Sequence, residues 1–432
     1  MSQVQPQVAT GAEVYPRYRW VMVGLSVLTQ EIMVLLPLGL LLPSMRQDLK
    51  FGLAQSGLFS MTGQLGSVLL AVPSSLVLVR FSPKWVYIAT LFLTAIVSFI
   101  TGQARTFVTL LIPYFFMVAS GAMRQVPDTL IKLQWIPKHE FGRVMGITTG
   151  MGTIGQSVAA MVVPFLLLAL GGWRGMVSLF SLGMFLLAII WLIFARERVT
   201  STYRDGMSSQ IGWAPLKSVL RRKEIIMVAI AFFGGAMAYM NVILFLPTFL
   251  VEERSIPLTT VGFIMGMMPI GGVCSSIAVG FISDKIGLRK PTIWPAGLLM
   301  PFFYFSLTSP VPIWVLPILT FVIGFLAWAP VPTLRAIPFE LPGIKPSEVA
   351  VGQSVIQTMM PLSGIIGAPI VGSLAESIGL GSALRIVCVF PLTMAAMGLL
   401  MPETGPKAAA KKAGEAARKN ITAITETIDH SK

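Results

Sequence analysis

Long apolar runs broken by short polar turns dominate the chain from residue 20 to residue 401. A bilayer core of about 30 Å is crossed by about 20 apolar helical residues, at a rise of about 1.5 Å each. Runs of that kind fall at 20–43, 53–79, 85–103, 107–130, 144–170 and 173–195, and again at 225–251, 259–282, 291–309, 311–338, 348–374 and 380–401. The pattern predicts an all-α membrane protein of twelve transmembrane helices. The first run is too long for a signal-peptide core and is followed by no evident small-residue cleavage site, so it is expected to remain as an anchor. The one long break, 196–224, is basic and divides the spans six and six. The expected layout is a polar N-tail (1–19), a six-helix bundle (20–195), a linker (196–224), a second bundle (225–401) and a tail (402–432). That tail is Ala-rich and cationic, which fits a surface-lying helix or a disordered segment.

The two halves repeat. Shifted by 205 residues, Gly57, Gly66 and Val68 fall on Gly262, Gly271 and Val273, and Arg80 and Lys84 fall on Lys285 and Arg289. The same shift carries Ala122, Val126, Pro127 and Pro137 onto Ala327, Val331, Pro332 and Pro342, while Pro43 meets Pro247 at 204. Parallel duplication of a six-helix unit is a transporter architecture, with the solute expected between the halves near the bilayer midplane.

Composition agrees with lipid as the solvent: 55% of residues are hydrophobic and 12% charged, against roughly 25% charged in soluble domains. The net charge of +14 would suggest nucleic acid in a soluble chain, but its placement argues otherwise. One set of alternate connections holds only Arg46, Lys50, Arg105, Arg174, Arg254 and Arg385, and Arg124 lies within a span. The remaining Lys and Arg residues collect on the other side with both termini, which the positive-inside rule makes cytoplasmic. The expected location is therefore the inner cell membrane, with lipid as a partner and no nucleic acid. Cys274 and Cys388 lie in apolar runs and make no disulfide framework.

Gly280 to Lys290, GFISDKIGLRK, resembles the Gly-x-x-x-Asp-(Arg/Lys)-x-Gly-x-(Arg/Lys)-(Arg/Lys) loop of the Major Facilitator Superfamily. PKHEFGRVMG (137–146), GGWR (171–174), LPTFLVEERS (246–255) and PETG (402–405) are similar to strings that superfamily places at the same points. The resemblance implies two pseudo-symmetric bundles, and a conformational latch of Gly280, Asp284, Lys285, Gly287 and Arg289 reaching Arg143 at the start of helix five. In that loop glycines permit a tight turn, Asp284 can cap a helix start, and the basic residues are expected to hold the membrane face. In the first half the motif has decayed to Ser75, Val79 and Ser82. Helix five lacks the Gly-Pro element of the superfamily's drug/proton antiporters, since Gln156 follows Gly155. The run from Pro127 to Pro137, followed by GGWR, is similar to prokaryotic members that move small anions such as cyanate, nitrate or carboxylates.

An ionisable side chain costs about 2.5–3.5 kcal/mol at the centre of a membrane helix, so each needs a reason. Glu31 lies eleven residues after Trp20, and Arg124 eleven residues before Trp135. With both tryptophans at the interface, each charge sits about 16 Å deep. Arg124 is then expected to bind an anion, with Glu31 as its proton-titrating counter-ion. The plainer reading is a permanent ion pair. Glu31 alone would also suit a cationic substrate. Gln30, Asn241 and Gln357 are candidate lining, as are Gln64 and Gln353, and each is equally suited to helix packing. Gly150-Met-Gly-Thr-Ile-Gly155 is a literal GxGxxG with no strand before it, which makes it helix packing rather than a nucleotide site. His139 and His430, the only histidines, both lie outside the spans, so no metal, cofactor or catalytic triad is expected and the chain is not an enzyme. The expectation is a monomeric secondary transporter moving a small organic or inorganic anion with protons by alternating access. The alternative is a proton-coupled exporter of cationic or amphipathic compounds.

Overall fold

The computed structural model describes residues 16–198, 217–341, 343–405 and 407, with backbone alone at 71–80, 138, 284, 346, 347 and 350. The described residues are helical, with no strand among them. The expected N-tail lies outside them up to residue 15, as do linker residues 199–216 and the tail from 408.

The first expected span is two helices, α1 (Arg19–Met33) and α2 (Leu38–Leu49), because Pro37 begins the second in extended conformation and no regular hydrogen bonding crosses the break. The chain then runs α3 (Leu53–Arg80), α4 (Pro83–Gly102), α5 (Phe107–Trp135), α6 (Lys138–Ala169) and α7 (Trp173–Phe194). Local chemistry sets these starts. Ser82 precedes Pro83 at the first turn of α4, Thr106 and Thr109 form a capping box on α5, and Gly172 takes φ +112° ahead of α7. The second group comprises α8 (Lys223–Thr248), α9 (Leu258–Ile286), α10 (Trp294–Leu307), α11 (Leu316–Trp328), α12 (Pro330–Glu340), α13 (Pro346–Ile378), α14 (Leu380–Val387) and α15 (Pro391–Leu400). A proline again marks the joints between α11 and α12 and between α14 and α15, and Pro247 precedes a π-helical turn, Phe249–Glu253, that ends α8.

Ten helical segments among the described residues are long and apolar enough to cross a bilayer. The two expected spans outside that set are 53–79 and 291–309; the second forms only the 14-residue α10 after a 3-10 turn, about 21 Å of helix. Phe281, Trp314, Leu168 and Phe302 stand exposed on the outer surface, as side chains facing lipid tails would. Such helices gain no hydrophobic driving force from one another, so close packing and buried hydrogen bonds hold them.

The internal repeat reappears as paired ties. Arg19 meets Glu140 at 3.1 Å, joining the starts of α1 and α6, and Arg222 meets Glu348 at 3.1 Å, joining the starts of α8 and α13. Arg174 donates to the Ala104 carbonyl at 2.7 Å, and Arg385 to that of Thr308 at 2.9 Å. The Ser218 hydroxyl above all, then the Lys345 backbone N–H and Arg222, hold the Glu348 carboxyl below its ordinary range.

Candidate functional site

The two groups of helices meet at the end of the bundle away from the termini, here the far end. There Arg46 pairs with Glu252 at 2.6 Å, and Glu376 accepts from the Ala54 N–H at 3.0 Å. Backbones touch through glycines: Gly39 lies on Ile243, Gly57 on Ala368, Gly372 on Leu53 and Gly266 on the Ser157 carbonyl, leaving no space for a Cβ. At the near end, by contrast, Gly142, Gly146 and Gly150 of α6 and Gly280 of α9 have nothing within 4 Å of where a Cβ would stand. The groups are sealed together at the far end, and these near-end glycines make no such contact among the described residues.

Beneath the seal, a cavity of about 340 Å³ lies between them, lined from both sides by groups that include Gln64, Tyr114, Gln156, Asn241 and Met265. Among the described residues, none that lines it is charged. The Asn241 amide donates to the Met237 carbonyl at 2.7 Å, while its Oδ1 is buried with no partner among the described residues. A second cavity of about 310 Å³ runs into the first group, sharing Leu36, Leu38, Tyr114 and Val118 with the central one.

Arg124 lies under that second cavity. It is 4% exposed, and its Nη1 donates to Thr94 Oγ1 at 3.2 Å while Nη2 meets the Met33 sulfur at 3.1 Å. Thr94 also bonds Ser120 at 2.7 Å, and the Arg124 guanidinium stands 5.9 Å from the Tyr87 ring centre. Met33 and Gly121, both within reach of Nη2, are cavity-wall residues. The guanidinium thus lies behind two wall residues of that cavity, with neutral groups as its bonded neighbours and the Asp128 carboxylate acting on it through space.

Glu31 is not its partner here. The carboxylate turns to α6 and packs on Gly155, with Oε1 buried and unbonded, at the floor of a separate apolar groove of about 510 Å³ walled by Met151, Ile154 and Val158. No ion pair between Glu31 and Arg124 forms, because the two side chains leave α1 and α5 toward different neighbours. Gln30 packs against Gly152, Gln357 is exposed, and the Gln353 amide bonds the Arg335 carbonyl; none of the three lines the central cavity.

One charged group went unrecognised in the sequence. Asp128 accepts from Ser26, and from Lys132 Nζ at 2.7 Å. Lys132, read from sequence as a connection residue, is only 5% exposed inside α5. Ser120, Arg124, Asp128 and Lys132 recur every four residues along α5, the spacing that aligns side chains on one helix face. That spacing was the available signal.

In the loop expected to form the latch, Gly287 caps α9 at φ +68° and Lys285 is exposed. The Asp284 side chain lies outside the described residues, and Arg143 is exposed. Arg289 corrects the expectation for a cation at the membrane face: it is 8% exposed, bound to Glu340 at 2.5 Å and to Ser283 at 2.7 Å. Glu403 of PETG accepts from the backbone N–H of Arg289 at 2.7 Å and of Lys290 at 3.1 Å, so the motif knits the second group's own loops. GGWR is likewise structural, since the Trp173 indole donates to Asp48 at 2.8 Å and Arg174 pairs with the same carboxylate.

The chain resembles the hexuronate transporter of Bacillus subtilis (strain 168), 21% identical over 273 residues, 61% of this chain and 64% of that one. It is 27% identical over 242 residues to a probable nitrate transporter, NarT, of Staphylococcus aureus (strain MRSA252), covering 54% and 60%. A probable sulfoacetate transporter of Cupriavidus necator, SauU, is 26% identical over 226 residues, covering 49% and 51%. The chain thus spans about half to two thirds of the length of these relatives. Among solved structures, the nucleoside transporter NupG superposes with a TM-score of 0.74 at 16% identity over 89% of this chain and 98% of that one. A bacterial homologue of the human lysosomal transporter Spinster, inward-facing and unoccupied, gives 0.71 at 14% over 89% and 94%. The pattern of one family matches residues 20–344, and the chain belongs to the Major Facilitator Superfamily.

Proposed function

We propose that this chain moves a small organic or inorganic anion by alternating access, driven by protons. The observation that carries the reading is the Arg124 guanidinium, 4% exposed behind the cavity-wall residues Met33 and Gly121, with a hydroxyl and a thioether as its bonded neighbours. Its nearest acid along the helix, Asp128, is committed to Lys132. A buried cation without a paired carboxylate is costly, and an entering anion would relieve that cost. The nitrate, hexuronate and sulfoacetate relatives support the same class of substrate. With the termini assigned to the cytoplasm by the positive-inside rule, the near end, where the α6 glycines stand uncovered, is read as the inward-open face.

Because Glu31 and Arg124 are not bonded in this state, Glu31 would couple protons to the cycle by changing its seat against α6 rather than by releasing Arg124 directly. The orphaned Glu31 oxygen in its apolar groove also favours a second reading, capture of an amphipathic cation. Proteoliposomes with an imposed pH gradient separate the two. Labelled nitrate, glucuronate, sulfoacetate and a lipophilic amine are offered in turn, to the wild-type chain and to Arg124→Gln and Glu31→Gln. Gradient-driven uptake of an anion, lost in Arg124→Gln and reduced to passive exchange in Glu31→Gln, is the expected result. Amine transport that survives Arg124→Gln and fails in Glu31→Gln would sink the anion reading.

A further inference from the structure

Within the second group of helices most arginines are held in bonds. Arg222 pairs with Glu348, Arg289 with Glu340, Arg254 donates to the carbonyls of Ser309 and Val311, and Arg385 to Thr308. The Arg335 side chain makes no ion pair or hydrogen bond among the described residues. It lies inside α12, within the run expected at 311–338, on a span that continues to Glu340. It lines a cavity of about 40 Å³ with Tyr239 and Phe232 of α8, Trp328 of α11 and Met360 of α13.

Tyr239 supplies the second half of the observation. Its hydroxyl accepts from the Trp328 indole N–H at 2.9 Å and makes no other bond among the described residues. A phenol both accepts and donates, so its proton is unspent. An exposed cation that makes no bond of its own and a free O–H donor on one small aromatic cavity form a donor set without an acceptor, which is what an oxyanion requires. At about 10–15 Å³ per water, the space takes a carboxylate head or a nitrate and excludes a sugar ring.

We propose that Arg335 and Tyr239 form a second anion-holding station, which takes a planar oxyanion group on its way between the central cavity and the near-end mouth. Arg335 stands five residues before the end of α12 and Arg124 eleven before the end of α5, so Arg335 is about 9 Å nearer that mouth. A cation at each depth gives an anion two successive holds, each weak enough to leave. The inference rests on the anion reading above.

The test is calorimetric titration of sodium nitrate and sodium glucuronate into the purified chain in nanodiscs, with neutral and with anionic lipid. Wild type, Arg335→Gln, Arg335→Lys and Tyr239→Phe are compared, with melting temperatures recorded. Nitrate affinity is expected to fall at least tenfold in Arg335→Gln and several-fold in Tyr239→Phe, with Arg335→Lys between wild type and Gln. Arg335→Lys and Tyr239→Phe carry the test should Arg335→Gln fail to fold. Unchanged nitrate affinity in the folded variants overturns the station while leaving the anion reading intact. So does a loss confined to stabilisation by anionic lipid, which would make Arg335 a headgroup contact. A wild-type chain that takes neither anion overturns both.

Discussion

Replacing Gly57 by alanine puts a methyl group where the backbone of Ala368 and Pro369 already stands. Because the obstacle is main chain, α3 and α13 must separate at the far end rather than rearrange a side chain. Overpacking of one methyl group costs about 1–3 kcal/mol. The cost falls only on the far-end-sealed arrangement, so the balance between sealed and opened forms should move by about 5- to 150-fold. Spin labels at Gln47 and Ser377, both exposed at the far end, report the separation in a Cys274→Ala background, with Cys388 buried and unreactive. Gly57→Ala should add a population at longer distance, whereas Gly142→Ala, with nothing within 4 Å, should leave the distribution unchanged. An unaltered distance distribution in Gly57→Ala would refute the claim that backbone contact between α3 and α13 makes the seal.

Two further outcomes are expected. Glu340→Ala leaves Arg289 buried without its carboxylate, and should lower stability by about 3 kcal/mol, read as a fall in melting temperature that Lys285→Ala does not reproduce. Glu348, whose carboxyl is held below its ordinary range, stabilises the fold above its unfolded value of about 4.3. That contribution is lost as pH falls through the lower folded value. The wild-type melting temperature should therefore drop more steeply below about pH 4.3 than that of Glu348→Gln, and parallel curves would remove Glu348 from the account.

Ten of the expected spans were legible because lipid leaves the sequence few options: every backbone group must be bonded within its helix, and long apolar runs follow. Prolines 37, 330 and 391 could also be read, but whether a proline kinks a helix or divides it depends on neighbours that the run itself does not reveal. For Arg124 the sequence offered a position along its helix and no direction. Counting from Trp135 gives its distance along α5, while its bonds to Thr94 and Met33 depend on how α4 and α1 pack around that helix. Glu31 makes the same point, since an equal count from Trp20 led to an expected meeting with Arg124 and the side chain turned to Gly155 instead. Arg289 misled for another reason: a basic residue in a turn reads as surface charge until Glu340 and Glu403, 51 and 114 positions away, are brought to it.

The unequal surroundings of the glycines on α6 also bear on how the helix moves. At residues 142, 146 and 150 nothing covers the turn, and each glycine weakens an uncovered helix by about 1 kcal/mol relative to alanine. Further along, Ser157 and Ala160 present their carbonyls to Gly266 and Gly262, which shield the backbone from solvent. The amide protons of one continuous helix should accordingly exchange at graded rates, fast near residue 146 and slow near residue 160, with no joint between them. A helix of this kind loosens at one end while its other end stays fixed.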